Sequence, residues 1–188
     1  MDTFYTENEL RKLGIKSYGK NVFIGRNAIL YNPELLEIGH DVRIDDFCIL
    51  SGKIKLCNYV HLSHFCGLYG GKKGIFMEDF SGLSSKVTVY AASDDYSGES
   101  MTNPMVPGEY KPGSIDKEVI IKKHAIIGAG SVLLPGVVIA QGCSVGSMSL
   151  CIKSTEPWSI NAGVPAKKIK DRAKDILLLE EKFRKNYD

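Results

Sequence analysis

The sequence predicts a triangular parallel β-helix, and three observations predict it. In residues 121–150, "IKKHAIIGAGSVLLPGVVIAQGCSVGSMSL", an aliphatic residue recurs every sixth place: Ile121, Ile127, Leu133, Ile139 and Val145. Four places after each stands a small or β-branched residue: Ala125, Ser131, Val137, Cys143 and Ser149. The same rhythm runs through Ile38, Ile44, Leu50, Leu56, Leu62 and Leu68, with partners Val42, Cys48, Ile54, Val60, Cys66 and Lys72, of which only the last breaks the rule. A strand repeats every two residues and a helix every 3.6, so neither alone gives six. About fourteen hexads in phase mean a solenoid. Three hexads close one coil of three flat strands, and coils stacked at about 4.8 Å turn the repeated aliphatic residues into continuous inner columns.

Each stretch of the chain has a place in that frame. Residues 1–19 read as an N-terminal helical cap: Thr6 with Glu9 makes a capping box, and Leu10 and Leu13 precede Gly14 as a stop. Residues 20–168 are the β-helix. Ile24-Gly25 with Ala28 starts the series, and a two-residue insertion near Pro33 shifts its phase. A second shift at "GGKKG" is followed by Met77, Leu83 and Val89, with Ser81 and Val87. Residues 92–118 carry turn formers, Asp94, Asp95 and no aliphatic period, so they protrude as a loop, and a loop this long inside a compact domain is usually functional or disordered. Residues 169–188 read as a C-terminal helix with the stripe Ile169, Ala173, Ile176, Leu177, Phe183 and Tyr187, capping the open end or packing on a neighbouring subunit.

Composition narrows the functional classes. The 188 residues are 44% hydrophobic and 24% charged, with net charge +2, so nothing points to nucleic acid or an anionic membrane. No apolar run approaches the roughly 18 residues of a transmembrane helix. The acidic, polar start "MDTFYTENEL" is unlike a secretory signal, and the expectation is a cytoplasmic protein. Cys48, Cys66 and Cys143 occupy the small inward slot, Cys151 an inward aliphatic slot and Cys57 the small position after it, which makes packing, not disulfide or metal, their expected role.

The segment "IIGAGSVLLPGVVIAQGCSVGSMS" and the tail "EPWSINAGVPAKKIKDR" resemble the hexapeptide-repeat acyltransferases. With the earlier hexads the resemblance covers roughly residues 20–172. It implies a left-handed β-helix, a hand that runs against the usual crossover rule. It also implies acyl transfer from acetyl-CoA to a hydroxyl or amine of a sugar or nucleotide-sugar, without a metal, in a homotrimer whose sites lie between subunits. Such chemistry needs a base for the acceptor's proton, a hydrogen-bond donor for the thioester oxygen, and a groove for the pantetheine arm.

The four histidines are candidates for the base. His40 and His64 fall two places after an aliphatic slot, His124 three and His61 five, so all are expected to point outward. His61 stands out because "NYVHLSHFCG" resembles the catalytic segment of hexapeptide N-acetyltransferases acting on nucleotide-linked amino sugars. A galactoside- or maltose-type O-acetyltransferase resemblance would put a histidine where the loop leaves the coil. Asp94 stands there instead, followed by Asp95; an aspartate titrates near 3.9 and is a weak base unless its site raises that value. Both are expected to act on the acceptor or its base, or to make an Asx turn. His124 is a further catalytic candidate, above Phe80 and Tyr59 in a column that offers a sugar a flat stacking surface or is packing. Tyr59, His64, Phe80 and Asp95 are the candidate acceptor contacts. For coenzyme A the resemblance implies Ala129, Gly146 and Ser147 along the pantetheine arm, Ala162 and Gly163 where backbone is approached closely, Lys167 and Lys168 at phosphates, and Trp158 at the adenine or as an anchor for the C-terminal helix. Two alternatives stand beside this. One is a zinc-dependent hydratase resembling gamma-type carbonic anhydrases, with His40, His61 and His64 as ligands. The other is a non-catalytic assembly module.

Overall fold

The hexads close into three flat faces. The computed structural model describes residues 3–187. Met1, Asp2 and Asp188, at the ends of the expected caps, lie outside the described residues. The first sheet stacks Ser17–Tyr18, Leu36–Ile38, Ile54–Leu56, Ile75–Met77, Val119–Ile121 and Val138–Ile139, all parallel. The second runs through Phe23–Ile24, Arg43–Ile44, His61–Leu62, Gly82–Leu83, Ile126–Ile127 and Ser144–Val145, then Ser159–Ala162 and an antiparallel Lys167–Asp171. The third stacks six strands from Ile29–Tyr31 to Leu150–Cys151. Register holds across both insertions: His61 pairs with Gly82, and Gly82 with Ile126 on the far side of the loop.

The core is the set of inner columns. Ile24, Ile44, Leu62, Leu83, Ile127 and Val145 stack inside the second sheet, each nearly inaccessible to water. Burial of one such side chain stabilises by roughly 1.5–3 kcal/mol. The small slot is filled as expected: Cys48, Cys66 and Cys143 are buried and unpaired, as is Cys151. Cys48 and Cys66 donate to the carbonyls of Ser63 and Ser84, at 3.1 and 3.2 Å. Buried Ser131 and Ser149 both donate to the carbonyl of Gly146, so hydroxyls serve in this slot only where a backbone acceptor faces them.

The ends depart from the expected boundaries. Helix α1 spans Glu7–Leu10, with the Glu9 carboxylate accepting from the Thr6 N–H at 2.8 Å and Leu10 buried. The coil begins at Ser17, ahead of residue 20. At the other end helix α2 spans Ile176–Tyr187. Ile169, expected on the helical stripe, instead lies in strand Lys167–Asp171, because that segment folds back on Ser159–Ala162 and satisfies the last strand's open edge. The loop is closed at its root by an antiparallel pair, Ala92–Ser93 with Ile115–Asp116, and the Lys117 N–H donates to the Ala91 carbonyl. Asp116 accepts from the N–H groups of Lys72 and Lys73, tying the "GGKKG" insertion to the loop exit.

Candidate active site

The outward residues of the second sheet form a register column: Phe23, Arg43, His61, Gly82, Ile126 and Ser144. Two residues further on, a backbone ladder links Gly25, Asp45, Ser63, Ser84, Gly128 and Gly146. Most of that second column is small, which leaves a furrow along the prism. Asp45 is the exception, and it is almost fully buried.

Asp45 gathers the polar chemistry of this face. One oxygen accepts from the Arg43 guanidinium at 2.6 Å; the other meets His61 Nε2 at 2.8 Å, with His64 Nδ1 at 3.6 Å. Burial opposes its ionisation, but the hydrogen bonds from Arg43 and His61 outweigh it and hold the carboxyl below its usual range. An ionised Asp45 accepts the Nε2 proton and so fixes the tautomer in which His61 Nδ1 carries the lone pair. The His61 side chain is half exposed. Beside it opens a depression of about 340 Å³ lined by His61, Ser63, Gly82, Ser84, Ser85 and Ile126, with Ala129 at its edge.

The cofactor candidates divide. Ala129 borders the His61 depression, and Gly146 and Ala162 continue the small-residue furrow toward the C-terminal end; a Cβ on Gly146 would lie 2.9 Å from that of Ala162. Ser147 sits at the turn that follows, against Gly128. Gly163 takes a left-handed φ of 105° beside exposed Val164. Lys167 is exposed. Lys168 is committed to Asp171 and Glu156, whose carboxylates hold its ammonium charged, which reduces its reach toward phosphates.

The aromatic column is where expectation and structure part. His124 is buried, not outward. Its Nε2 meets Glu180 of α2 at 2.7 Å, and its ring stacks on Phe80, which stacks on Tyr59 at 4.7 Å. Phe183 of α2 lies edge-on to both Tyr59 and Phe80. The face proposed for a sugar is therefore covered by the helix of the same chain, because aromatic rings held one coil apart offer α2 its docking surface. Trp158 belongs to the same corner, against Gly142 and 6.4 Å from His124, a placement that fits the anchor of its two expected roles. The sequence pattern gives no depth at this corner, since Tyr59, Phe80, His124 and Trp158 all share a left-handed φ near 55–60°.

The loop residues also have partners. Asp95 accepts from the Ser97 N–H, the Ser97 hydroxyl and the Ser100 N–H, bonds that keep its carboxyl below the ordinary range and make an Asx turn. Asp94 accepts from the Asn103 N–H at 3.1 Å and lines a wider depression of about 870 Å³ with Tyr90, Tyr96, Lys117 and Ile152. His40 accepts from the Lys20 N–H, one strand away from Asp45. Among the described residues no three His, Cys, Asp or Glu side chains of one chain are arranged to hold a metal. Nor, among them, is any helix long and apolar enough to cross a membrane.

Sequence reasoning missed Asp45, Arg43, Gly82 and Ser84. The signal for Asp45 was its slot: the residue after the aliphatic position is Gly in Ile24-Gly25, Ile38-Gly39, Ile127-Gly128 and Val145-Gly146, but Asp in Ile44-Asp45.

No protein-family profile matches the chain. It is 38% identical, over 96% of its length and 95% of the relative's, to a dTDP-4-amino-4,6-dideoxy-D-glucose acyltransferase from Escherichia coli. Its structure matches that of AntD, an N-acyltransferase from Bacillus cereus, with a TM-score of 0.96 and 48% identity over 99% of both chains. AntD has been solved as an S84C variant with dTDP-4-amino-4,6-dideoxyglucose and coenzyme A, as a D94A variant with dTDP and coenzyme A, and with dTDP and 3-hydroxybutyryl-CoA. A maltose O-acetyltransferase from Clostridium difficile, at 18% identity over 89% of this chain and 75% of its own, shares the fold with a TM-score of 0.54.

Proposed function

Because the chain belongs to the hexapeptide-repeat acyltransferases, and within them to the family of the dTDP-4-amino-4,6-dideoxyglucose acyltransferases, we propose that it moves an acyl group from coenzyme A to the amine of a dTDP-linked 4-amino-4,6-dideoxyhexose. The observation that carries the reading is the end-to-end match to an enzyme solved with both of those ligands, on a chain whose second sheet presents the His61–Asp45 pair at the edge of a furrow. The chain is an acyltransferase; nitrogen as the acceptor atom and the dTDP-amino sugar as acceptor are the proposal.

His61 is the base. It accepts the proton that the amine sheds as its nitrogen bonds to the thioester carbonyl carbon, and returns that proton to the sulfur as the carbon–sulfur bond breaks. The products are an amide and the free thiol, and no proton is gained or lost overall. Asp45 positions the imidazole and stabilises its cationic form, so it takes no part in bond making. The small-residue furrow through Ala129, Gly146 and Ala162 fits a pantetheine arm, which needs close approach to backbone.

We infer the assembly from two residues. The chain carries Ser84 and Asp94 at the numbers substituted in AntD. Ser84 lines the His61 depression, whereas Asp94 lines the loop depression on another face. An acceptor in contact with both requires the loop of a second copy, which supports a homotrimer with sites between subunits.

Thiol release in the presence of acyl-CoA tests the reading against a panel of dTDP-4-amino-4,6-dideoxyglucose, its free sugar, dTDP-glucose and UDP-linked amino sugars. Turnover is expected with the first alone at rates above background. Equal turnover with dTDP-glucose would make the enzyme an O-acyltransferase and overturn the choice of acceptor.

A further inference from the structure

Two interruptions of the solenoid meet at one point. The insertion "GGKKG" follows the strand Gly67–Tyr69, and the long loop leaves after Ala91 and returns at Lys117. The repeat needs neither, yet the insertion is closely ordered. Gly71 and Gly74 take left-handed φ of 54° and 107°. The Gly74 N–H donates to the Gly70 carbonyl at 2.8 Å, and the Gly74 carbonyl accepts from the Val119 N–H at 3.1 Å. Successive N–H groups in such a turn make a concavity for an anion. The Asp116 carboxylate fills it, one oxygen on the Lys72 N–H at 3.2 Å and the other on the Lys73 N–H at 3.1 Å. The lysine side chains are exposed and take no part in these bonds.

Asp116 is also half of the loop's root. It pairs with Ala92, and Ile115 pairs with Ser93, so Asp94 is the first residue beyond a strand that Asp116 holds. Past that root the loop is bonded to itself. Among the described residues, the hydrogen bonds of residues 94–114 stay within 93–114: Asp94 with Asn103, Met101 with Tyr110, and Gly113 with Ser100 are examples. A loop tied together in this way moves as one body, and its direction over the coil is set where it is attached. Resting on the acyl-transfer reading above, in which Asp94 reaches the acceptor at a second copy, we propose that Asp116 is a positioning residue for that acceptor. Seated on the Lys72 and Lys73 N–H groups, it fixes the angle at which the loop carries Asp94 outward. The insertion is the socket that makes this possible. Binding residues are commonly carried on loops that a rigid scaffold aims.

The experiment measures KM and kcat for dTDP-4-amino-4,6-dideoxyglucose and for acetyl-CoA in the wild type, Asp116→Ala, Asp116→Asn and Gly71→Ala, with thermal unfolding of each. Asp116→Ala is expected to lower kcat/KM for the amino sugar by about 10- to 100-fold, the scale of a misplacement near 1 Å. The KM for acetyl-CoA should stay near the wild-type value, because its furrow lies on another face. Asp116→Asn keeps one acceptor oxygen and should recover part of the loss. A Cβ at Gly71 would stand 2.9 Å from that of Ala92 and 3.0 Å from an Asp116 oxygen, so Gly71→Ala should reproduce the loss from outside the loop. Chymotrypsin cleavage after exposed Tyr96 should quicken in Asp116→Ala. An equal loss toward both substrates with earlier unfolding would make Asp116 a structural brace. Wild-type kinetics in Asp116→Ala and Gly71→Ala would leave the loop aimed without it. Either result overturns the inference and leaves the acyltransferase reading standing. No thiol release by the wild type with any acceptor would remove that reading, and this inference with it.

Discussion

Two histidines in this molecule make nearly the same bond and end in opposite situations. His61 meets the carboxylate of Asp45 at 2.8 Å, and His124 meets that of Glu180 at 2.7 Å. In the first pair the carboxylate is buried and the imidazole half exposed; in the second the imidazole is buried beneath α2, and the Glu180 carboxylate that α2 supplies is largely covered. The His61 ring lines the depression beside the furrow. The second nitrogen of His124 has no hydrogen-bond partner and no opening. A carboxylate–histidine pair is therefore not a catalytic signature by itself: what decides is which member the fold covers.

The comparison breaks first at His61. His61→Ala should lower acyl transfer by about 10²–10⁴-fold with the secondary structure and oligomeric state unchanged by circular dichroism and sedimentation. Near-normal turnover would move the role of base elsewhere. His124→Ala is expected to cost stability instead, through the uncovered α2.

Asp45 sharpens it. Asp45→Asn removes the acceptor that fixes the His61 tautomer, and a loss on the order of 10²-fold in kcat is expected, short of the His61 deletion. The loss should fall on kcat and leave KM near the wild-type value, a split that a purely structural carboxylate would not produce.

The smallest effect belongs to Glu180. Burial opposes its ionisation, but the ion pairs with Lys123, Arg184 and His124 outweigh it and bring its carboxyl to about 2. A carboxyl depressed on folding stabilises above its unfolded value and loses that contribution as pH falls. The docking of α2 should thus weaken between about pH 4.5 and pH 2. Glu180→Gln is expected to remove roughly 2–3 kcal/mol at neutral pH, read from denaturant unfolding, and to leave kcat unchanged. A variant as stable as the wild type but slower would assign Glu180 to the reaction.

Much of the prism was legible in the chain. Hexad phase alone placed Ile44, Leu62, Leu83 and Ile127 in one column across an insertion and a long loop, and put the cysteines inside. It also set His61 outward, though at a corner, where the structure has it open the strand His61–Leu62. The same phase placed His124 outward and could not show otherwise, because a corner residue is covered or open according to a helix more than fifty positions away.

What the sequence by itself determined is periodic: aliphatic residues six apart have one way to share a core, so the coil, its stacking and the inward slots follow from hydrophobic burial along the chain. What only the tertiary structure decided is pairwise and aperiodic. Asp45 meets His61 across 16 positions and Glu180 meets His124 across 56. Gly82 becomes an opening only because its coil neighbours carry side chains where it has none. Such contacts depend on the stacking of particular coils and the docking of one helix, and no local spacing in the chain encodes them.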